Sequence, residues 1–520
     1  MAENTKDSKG SSGTSSYTDY LRERLNKAAQ ERKSGQSKQV TSAGGEKSGV
    51  KVTESKTTSS IPEDLGVSAD EKRRKEIEER LYGSKSKKKD KGSKDKKKPE
   101  AEKVTEETQA GDVKSASWTE TIKNDNRSAR RVKEDVEVGD KKKKEGTVLK
   151  TLGIIFLSIV VALGLVVGGY ASVIQLSYSR IEDMRYLQVE AKRPERFAIG
   201  MDYTITTFDV GFGAFSQSYS YFLESSTSMG GVTNKGKSAR AFNENDVINN
   251  INESMNFVKS KAEADMYLFQ NVDQDSTRSY HVDEVSLIKS AIGSYSSVYA
   301  SNAHSKYLMY PLNQPVGKVN SGILTLSKMN IDYSVRRTLP VSTKGNARFY
   351  DMDKCMIVTK MPVYGTNKYV VVINVQLSSY TDPAIREAQL QTILEYMTYE
   401  YKTNGNFVIV GGNFGVSLAG DYGVFNNDTR KASWVANLPD SVSADVLSAS
   451  GFKLNYDIST TNGTRRDASM KYSEGINLEA VTDGFITSEN VSVTVCETID
   501  GDFKNSNHNP VRMKFSLIGA

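Results

Sequence analysis

Cysteine is scarce: the 520 residues hold two, Cys355 and Cys496, and no CxxC. No Cys/His spacing of the kind that holds zinc is present, so zinc modules and disulfide-built scaffolds drop out. The pair allows one disulfide; the plainer reading is two small apolar residues inside strands. Aromatic residues are scarce in the first 150 residues, where only Tyr17, Tyr20, Tyr82 and Trp118 occur. A segment with so few large apolar groups cannot offset its ordering entropy, so a disordered tail is expected over 1–147. Charge of either sign is missing from 151–179. A soluble helix rarely does without it over that length.

What is present divides the chain in two. Residues 1–150 carry 37 Lys and Arg against 28 Asp and Glu; the remainder carries 33 against 36. Helix formers suggest short helices at 17–36 and 71–83, the second with Gly83 as its stop. The basic run KSKKKDKGSKDKKKPE (85–100) reads as a solvated tail, or as a contact for anionic lipid or nucleic acid. The uncharged run TLGIIFLSIVVALGLVVGGYASVIQLSYS (151–179) exceeds the roughly 20 residues that span a bilayer. It begins too far along the chain for a cleavable signal peptide. Five lysines flank it at 141–150, against two arginines and two acids at 180–189. The positive-inside rule then expects a single-pass protein of the cell membrane, tail in the cytoplasm and residues 180–520 outside. The expected span covers 148–179, a juxtamembrane linker 180–200, and a folded domain 201–520.

In that domain strands and helices alternate. Strands are expected at 202–213, 266–273, 322–327, 354–363, 368–377, 406–413, 480–488, 490–497 and 510–517. Helices are expected at 244–265, 282–300 and 382–403, the last with Asp382 as N-cap and Pro383 at its first position. The pattern points to an α/β (α+β) domain of two packed sheets with helices outside. Several strand ends deliver polar side chains beside glycine or a turn: Asp209, Asn271 with Asp273, Gln376, Asn413, and His508 in SNHNP. Each alone has an ordinary explanation, such as a turn asparagine or a structural histidine. Brought together, they would form one polar pocket at the end of a sandwich.

The segments TFDVGFG, LFQNVDQDSTRSYHV, NVQLSSY, VIVGGNFG, TDGF and SNHNPV resemble, in order, the motifs of the endonuclease/exonuclease/phosphatase superfamily. The resemblance runs over about 202–517 and is nearest to membrane-anchored bacterial members carrying DSTRSYHV. It implies a four-layer αββα sandwich of two mixed sheets. It also implies phosphoester cleavage with one or two Mg²⁺, a water activated by a His–Asp pair, and Asn and His contacts to phosphate.

Carried over position by position, the resemblance implies a degenerate site. Asp209 stands where the family has Asn, Asn271 where it has a metal-binding Glu, and Gln376 where it has His. Asn413 and Gly415 stand for the Asp and Asn of GGDxN, and Asn507 for the Asp of SDHxP. Asp483 and His508 remain, a vestigial proton-relay pair. Losing three carboxylates should abolish most affinity for a hard cation, which needs charged oxygen ligands. Transition-state stabilisation by metal and dipoles is usually the largest catalytic contribution, and a His–Asp pair alone does not supply it. The expectation is a pseudoenzyme with a binding or scaffolding role and no resident cofactor. The alternative is a Mg²⁺-dependent phosphoesterase (phosphodiesterase, phosphatase or nuclease) with a rearranged shell from Asp209, Asp273 and Asp275. A third reading gives the main role to the basic tail, with the outer domain as sensor. The net charge of residues 151–520 offers no nucleic-acid signal, and the domain's ligand is not legible.

Overall fold

The computed structural model of the protein describes residues 133–177, 180–227, 231–342, 352–420, 432–457 and 463–519. The helix candidates at 17–36 and 71–83, the basic run and the expected disordered tail up to 132 lie outside the described residues. The first helix, α1 (Lys133–Ser177), starts well before the apolar run. Lys and Glu dominate its first turns, and a helix already nucleated by the apolar run extends through such residues readily. Within it, Thr147–Ile174 is 28 residues, long and apolar enough to cross a membrane.

Thirteen strands build the two large sheets: β1 (Arg185–Leu187), β2 (Asp202–Asp209), β3 (Met266–Asp273), β4 (Ser296–Leu308), β5 (Gly317–Ser327), β6 (Tyr333–Thr338), β7 (Cys355–Pro362), β8 (Tyr369–Gln376), β9 (Phe407–Asn413), β10 (Phe452–Asn455), β11 (Asp483–Ser488), β12 (Val491–Thr498) and β13 (Val511–Leu517). One sheet runs β1-β6-β7-β8-β9-β11-β10, the other β12-β13-β2-β3-β5-β4. Each is mixed. The parallel pairs are β8–β9 in one sheet and β2–β3 in the other.

A parallel pair needs a crossover, and a helix supplies each. Between β2 and β3 runs α2 (Glu244–Lys261), capped by Asn243, which accepts from Asp246 N at 2.9 Å. Its Ile251, Met255 and Val258 are buried at helical spacing against Phe208, Tyr267 and Leu324. The short helix α3 (Glu284–Ile292) joins that face. Between β8 and β9 runs α4 (Pro383–Thr398), capped by Asp382 as expected. Its Leu390, Ile393 and Met397 bury against Val371, Val408 and Ile486. The central core lies between the sheets, with Ile205, Leu268, Met513 and Phe515 facing Ile357, Val372 and Ile409. The layers are therefore helix, sheet, sheet, helix.

Two expectations change and one holds. The helix expected at 282–300 stops at Ile292, because Gly293 (φ 90°) turns the chain into the long strand β4. The linker expected at 180–200 belongs to the domain: β1 pairs with β6, and Glu190, Glu195 and Phe197 form further bridges to it. Cys355 and Cys496 are both free; they lie in β7 and β12, as small apolar residues inside strands.

One polar tie crosses the apolar core. Asn374 on β8 accepts from Gln270 Nε2 on β3 at 2.9 Å and donates to Leu324 O at 3.1 Å and Phe269 O at 3.3 Å. Both amides are fully buried. Truncating one leaves buried partners unpaired. Asn374→Ala is therefore expected to lower unfolding free energy by about 2–4 kcal/mol in urea titrations, without change in the transition slope.

Candidate functional site

The two parallel pairs point their C-terminal ends the same way, and the site forms there. Asp209 ends β2 beside Gln270; Gln376 ends β8 beside Asn413, which ends β9; Asn413 in turn faces Asp483 across the antiparallel β11. The approach of β9 depends on its glycines. A Cβ on Gly412 would lie 1.9 Å from Val375 O, and one on Gly411 2.6 Å from the Phe485 ring. His508 arrives on the loop before β13, bridged to Arg465.

Asp209 is the hub. Its Oδ1 accepts from Gly211 N at 3.0 Å, and its Oδ2 from Asn413 Nδ2 at 2.9 Å and Gln376 Nε2 at 3.2 Å. Burial pushes its pKa up. The His508 imidazole, the Asn413 amide, the Gly211 N–H and the Arg465 guanidinium outweigh this and hold it below the usual carboxylate value. Both amides are fixed at their far ends. Asn413 Oδ1 accepts from Gly415 N at 3.0 Å, and Gln376 Oε1 from Asn302 Nδ2 at 3.0 Å. Lys354 Nζ also reaches Gln376 Oε1, at 3.4 Å.

The His508–Asp483 pair is formed, Nδ1 to Oδ2 at 2.8 Å. Hydroxyls of Thr464 and Thr482 donate to the same carboxylate oxygen, each at 2.9 Å. With Nδ1–H given to Asp483, His508 Nε2 accepts from Asn413 Nδ2 at 3.4 Å. The lone pair that would take a proton from water thus faces an amide donor. Asn507 is buried in the same loop, its carbonyl accepting from Arg466 N at 2.9 Å.

Asn271 sits at a bulge where β3 slips against β5, with φ 57°, and this re-aims its side chain. Its Oδ1 accepts from Arg278 Nη2 at 3.2 Å. Arg278 makes a fork onto buried Asp273, at 3.0 and 2.8 Å, and stacks 3.9 Å over the Phe212 ring. Glu284 lies behind, accepting from Asp273 N at 2.8 Å; burial first, then the Asp273 charge, raises its pKa well above the carboxylate norm. A second buried pair, Arg465 and Glu224 at 2.7 Å, shares the Tyr380 hydroxyl.

A cavity of about 100 Å³ opens beside these groups. Asn271, Arg278, Asn302, Lys354 and Gln376 line its polar side, and Phe212, Phe215, Leu308 and Val316 its apolar side. Of the positions expected from sequence, Asp209, Gln376, Asn413, Asp483 and His508 are joined by direct bonds, with Gly415 behind Asn413. Asn271 belongs to the Arg278 cluster. Arg278, Asn302, Lys354, Arg465 and Glu224 were not anticipated; only Arg278, inside DSTRSYHV, lay in a stretch already singled out.

The groups present do not fit a divalent cation. Asn271 offers an oxygen already held by a guanidinium, and Asn413 turns its nitrogen inward. The three carboxylates of the rearranged shell are not gathered. Asp209 is held by amides, Asp273 by Arg278, and Asp275 by Lys318 and His281 at the surface. Among the described residues no three His, Cys, Asp or Glu side chains form a metal-holding group.

No protein-family model and no curated protein match the chain. Solved structures do. An endonuclease/exonuclease/phosphatase from Beutenbergia cavernae is similar at 12% identity and TM-score 0.40, over 61% of this chain and 72% of that one. One from Bacteroides vulgatus is similar at 14% identity and TM-score 0.36, over 61% and 99%. The human Nocturnin catalytic domain, with bound sulfate, is similar at 12% identity and TM-score 0.37, over 64% and 97%.

The hub predicts a pH signature. A depressed folded pKa contributes stability that is present above the unfolded value, about 3.9, and lost as pH falls through the folded value. Asp209→Asn puts an amide nitrogen against Gly211 N in one orientation and against both Asn413 and Gln376 in the other, and is expected to cost about 1–3 kcal/mol at pH 7. Chemical denaturation at stepped pH should find that difference closing below the ordinary carboxylate range.

Proposed function

We propose that the chain is a membrane-anchored member of the endonuclease/exonuclease/phosphatase superfamily whose outer domain binds a ligand or partner and does not cleave phosphoesters. The observation that carries this reading is the orientation of Asn413. Its oxygen is spent on Gly415 N, so a nitrogen faces Asp209 and His508, where a metal-dependent site needs anionic oxygen. Asn271 and Gln376 are committed in the same way. The intact His508–Asp483 pair favours the second reading, a working phosphoesterase, because a proton relay of this geometry can activate water.

Titration calorimetry with Mg²⁺ and Mn²⁺, beside hydrolysis of a generic phosphodiester, separates the two. The native protein is expected to give no heat of metal binding at millimolar concentration and no turnover. Metal binding together with turnover that disappears in His508→Ala would overturn the reading. Restoring Asn271→Glu, Asn413→Asp, Gly415→Asn and Asn507→Asp together is expected to create metal binding. At Gly415 the left-handed backbone (φ 61°) suits Asn, although Ser379 Oγ must give way from 3.2 Å.

In this reading Thr147–Ile174 is the single span, with the lysine-rich flank in the cytoplasm and residues 180–520 outside. The basic tail adds contact with anionic lipid, screened by salt. Protease added to intact cells is expected to digest the outer domain and spare the tail; the opposite pattern reverses the orientation.

A further inference from the structure

The turn between β4 and β5 is an apolar tip, touched by the rest of the domain at Tyr310, whose ring meets that of Phe222 at 6.0 Å. Tyr307, Met309, Tyr310 and Leu312 are 42, 44, 55 and 80% exposed. Between Ser305 and Asn320 there are two lysines, Lys306 and Lys318, and no acid. Leu308, Val316 and Val319, on the same hairpin, turn the other way into the domain core. One face of the hairpin is therefore satisfied by packing, while the other presents large apolar groups and Lys306; Lys318 is paired with Asp275.

Its position says what that face meets. Tyr170 of α1 donates its hydroxyl to Tyr307 O at 3.2 Å and accepts from Met309 N at 2.8 Å. Tyr170 lies inside the apolar stretch, four residues before its end at Ile174. At 1.5 Å per residue this 28-residue stretch is about 42 Å long, against about 30 Å of hydrocarbon. A depth of four residues, about 6 Å from the end, is the boundary between headgroups and acyl chains. Tyrosine is enriched at that level, and lysine stems reach from it to anionic phosphates.

We infer that the 306–312 hairpin tip is a second membrane contact, inserting Tyr307, Met309, Tyr310 and Leu312 into the lipid interface beside the span. The partner is the bilayer itself. The contact rests on the single-span reading of α1. It fixes the outer domain against the membrane instead of leaving it on a tether. It also places the strands that wall the cavity, through His304, Ser305 and Leu308, directly above the lipid.

The test uses the full chain in nanodiscs whose lipids are brominated either near the headgroup or at mid-chain. Leu312→Trp and, separately, Leu163→Trp add an emission that is read as the difference from the parent chain. Leu312→Trp is expected to lose emission about twofold with headgroup-proximal bromine and to resist acrylamide, as an interfacial side chain does. Leu163→Trp is expected to be quenched most by mid-chain bromine. Quenching of Leu163→Trp without quenching of Leu312→Trp, the latter open to acrylamide, overturns the inference and leaves the span standing. Loss of both overturns the span reading and the inference with it.

Discussion

A buried carboxylate held by neutral hydrogen-bond donors decides the arrangement of this site. Asp209 is nearly inaccessible to water, yet it is held ionised. Burying an unpaired charge is expensive, so the surrounding groups must all present donors. Gly211 N, Asn413 Nδ2 and Gln376 Nε2 do so. Each amide can offer its nitrogen inward only because its oxygen is claimed behind, by Gly415 N and by Asn302. Carboxylates at 413 or 271 would add charge beside Asp209 or draw on Arg278, and would need a cation to be stable. Amides of the same shape need none. The replacements therefore act as a set: Asp209 requires the amides, and the amides require their far-end partners.

The neighbouring charges follow the same rule by a different route. Asp273 is neutralised by the Arg278 fork, Glu224 by Arg465, and Glu284 is driven toward its protonated form. The guanidinium that neutralises Asp273 also bonds Asn271 Oδ1 and so holds that amide in place. The cavity it borders has apolar walls on its other side, from Phe212, Phe215, Leu308 and Val316.

The scaffold was more legible than the site. Strands such as Met266–Asp273 and Phe407–Asn413 announce themselves because both faces are buried and the run is nearly continuous in β-formers. Strand β4 did not, because SSVYASNAHSKYL mixes serines and asparagine with apolar residues, and its helix-like lead-in ends only at Gly293. The strand Arg185–Leu187 was hidden for another reason: three residues with two arginine-flanked turns read as linker until β6 supplies a partner. Asp209, Gln376, Asn413, Asp483 and His508 were legible through ordered motifs. Lys354, Asn302, Glu224 and Arg465 were not, since each is brought in by contacts far along the chain and none lies in a recurring local pattern.

The short connection out of α1 gives the membrane reading its mechanical consequence. Arg180 donates to Leu339 O at 2.6 Å, and Ile181 N to Asp353 Oδ1 at 2.8 Å, so the chain is bound to the domain almost as soon as the helix ends. A freely jointed linker of twenty residues would let the domain sample many orientations. This strap does not. With Tyr170 bonded to the hairpin on one side and residues 180–187 held in the sheet on the other, two attachments fix the domain's tilt relative to the helix. If the hairpin tip meets lipid as inferred, strand β4 has one end there, and its residues Asn302 to Ser305 and Leu308 wall the cavity.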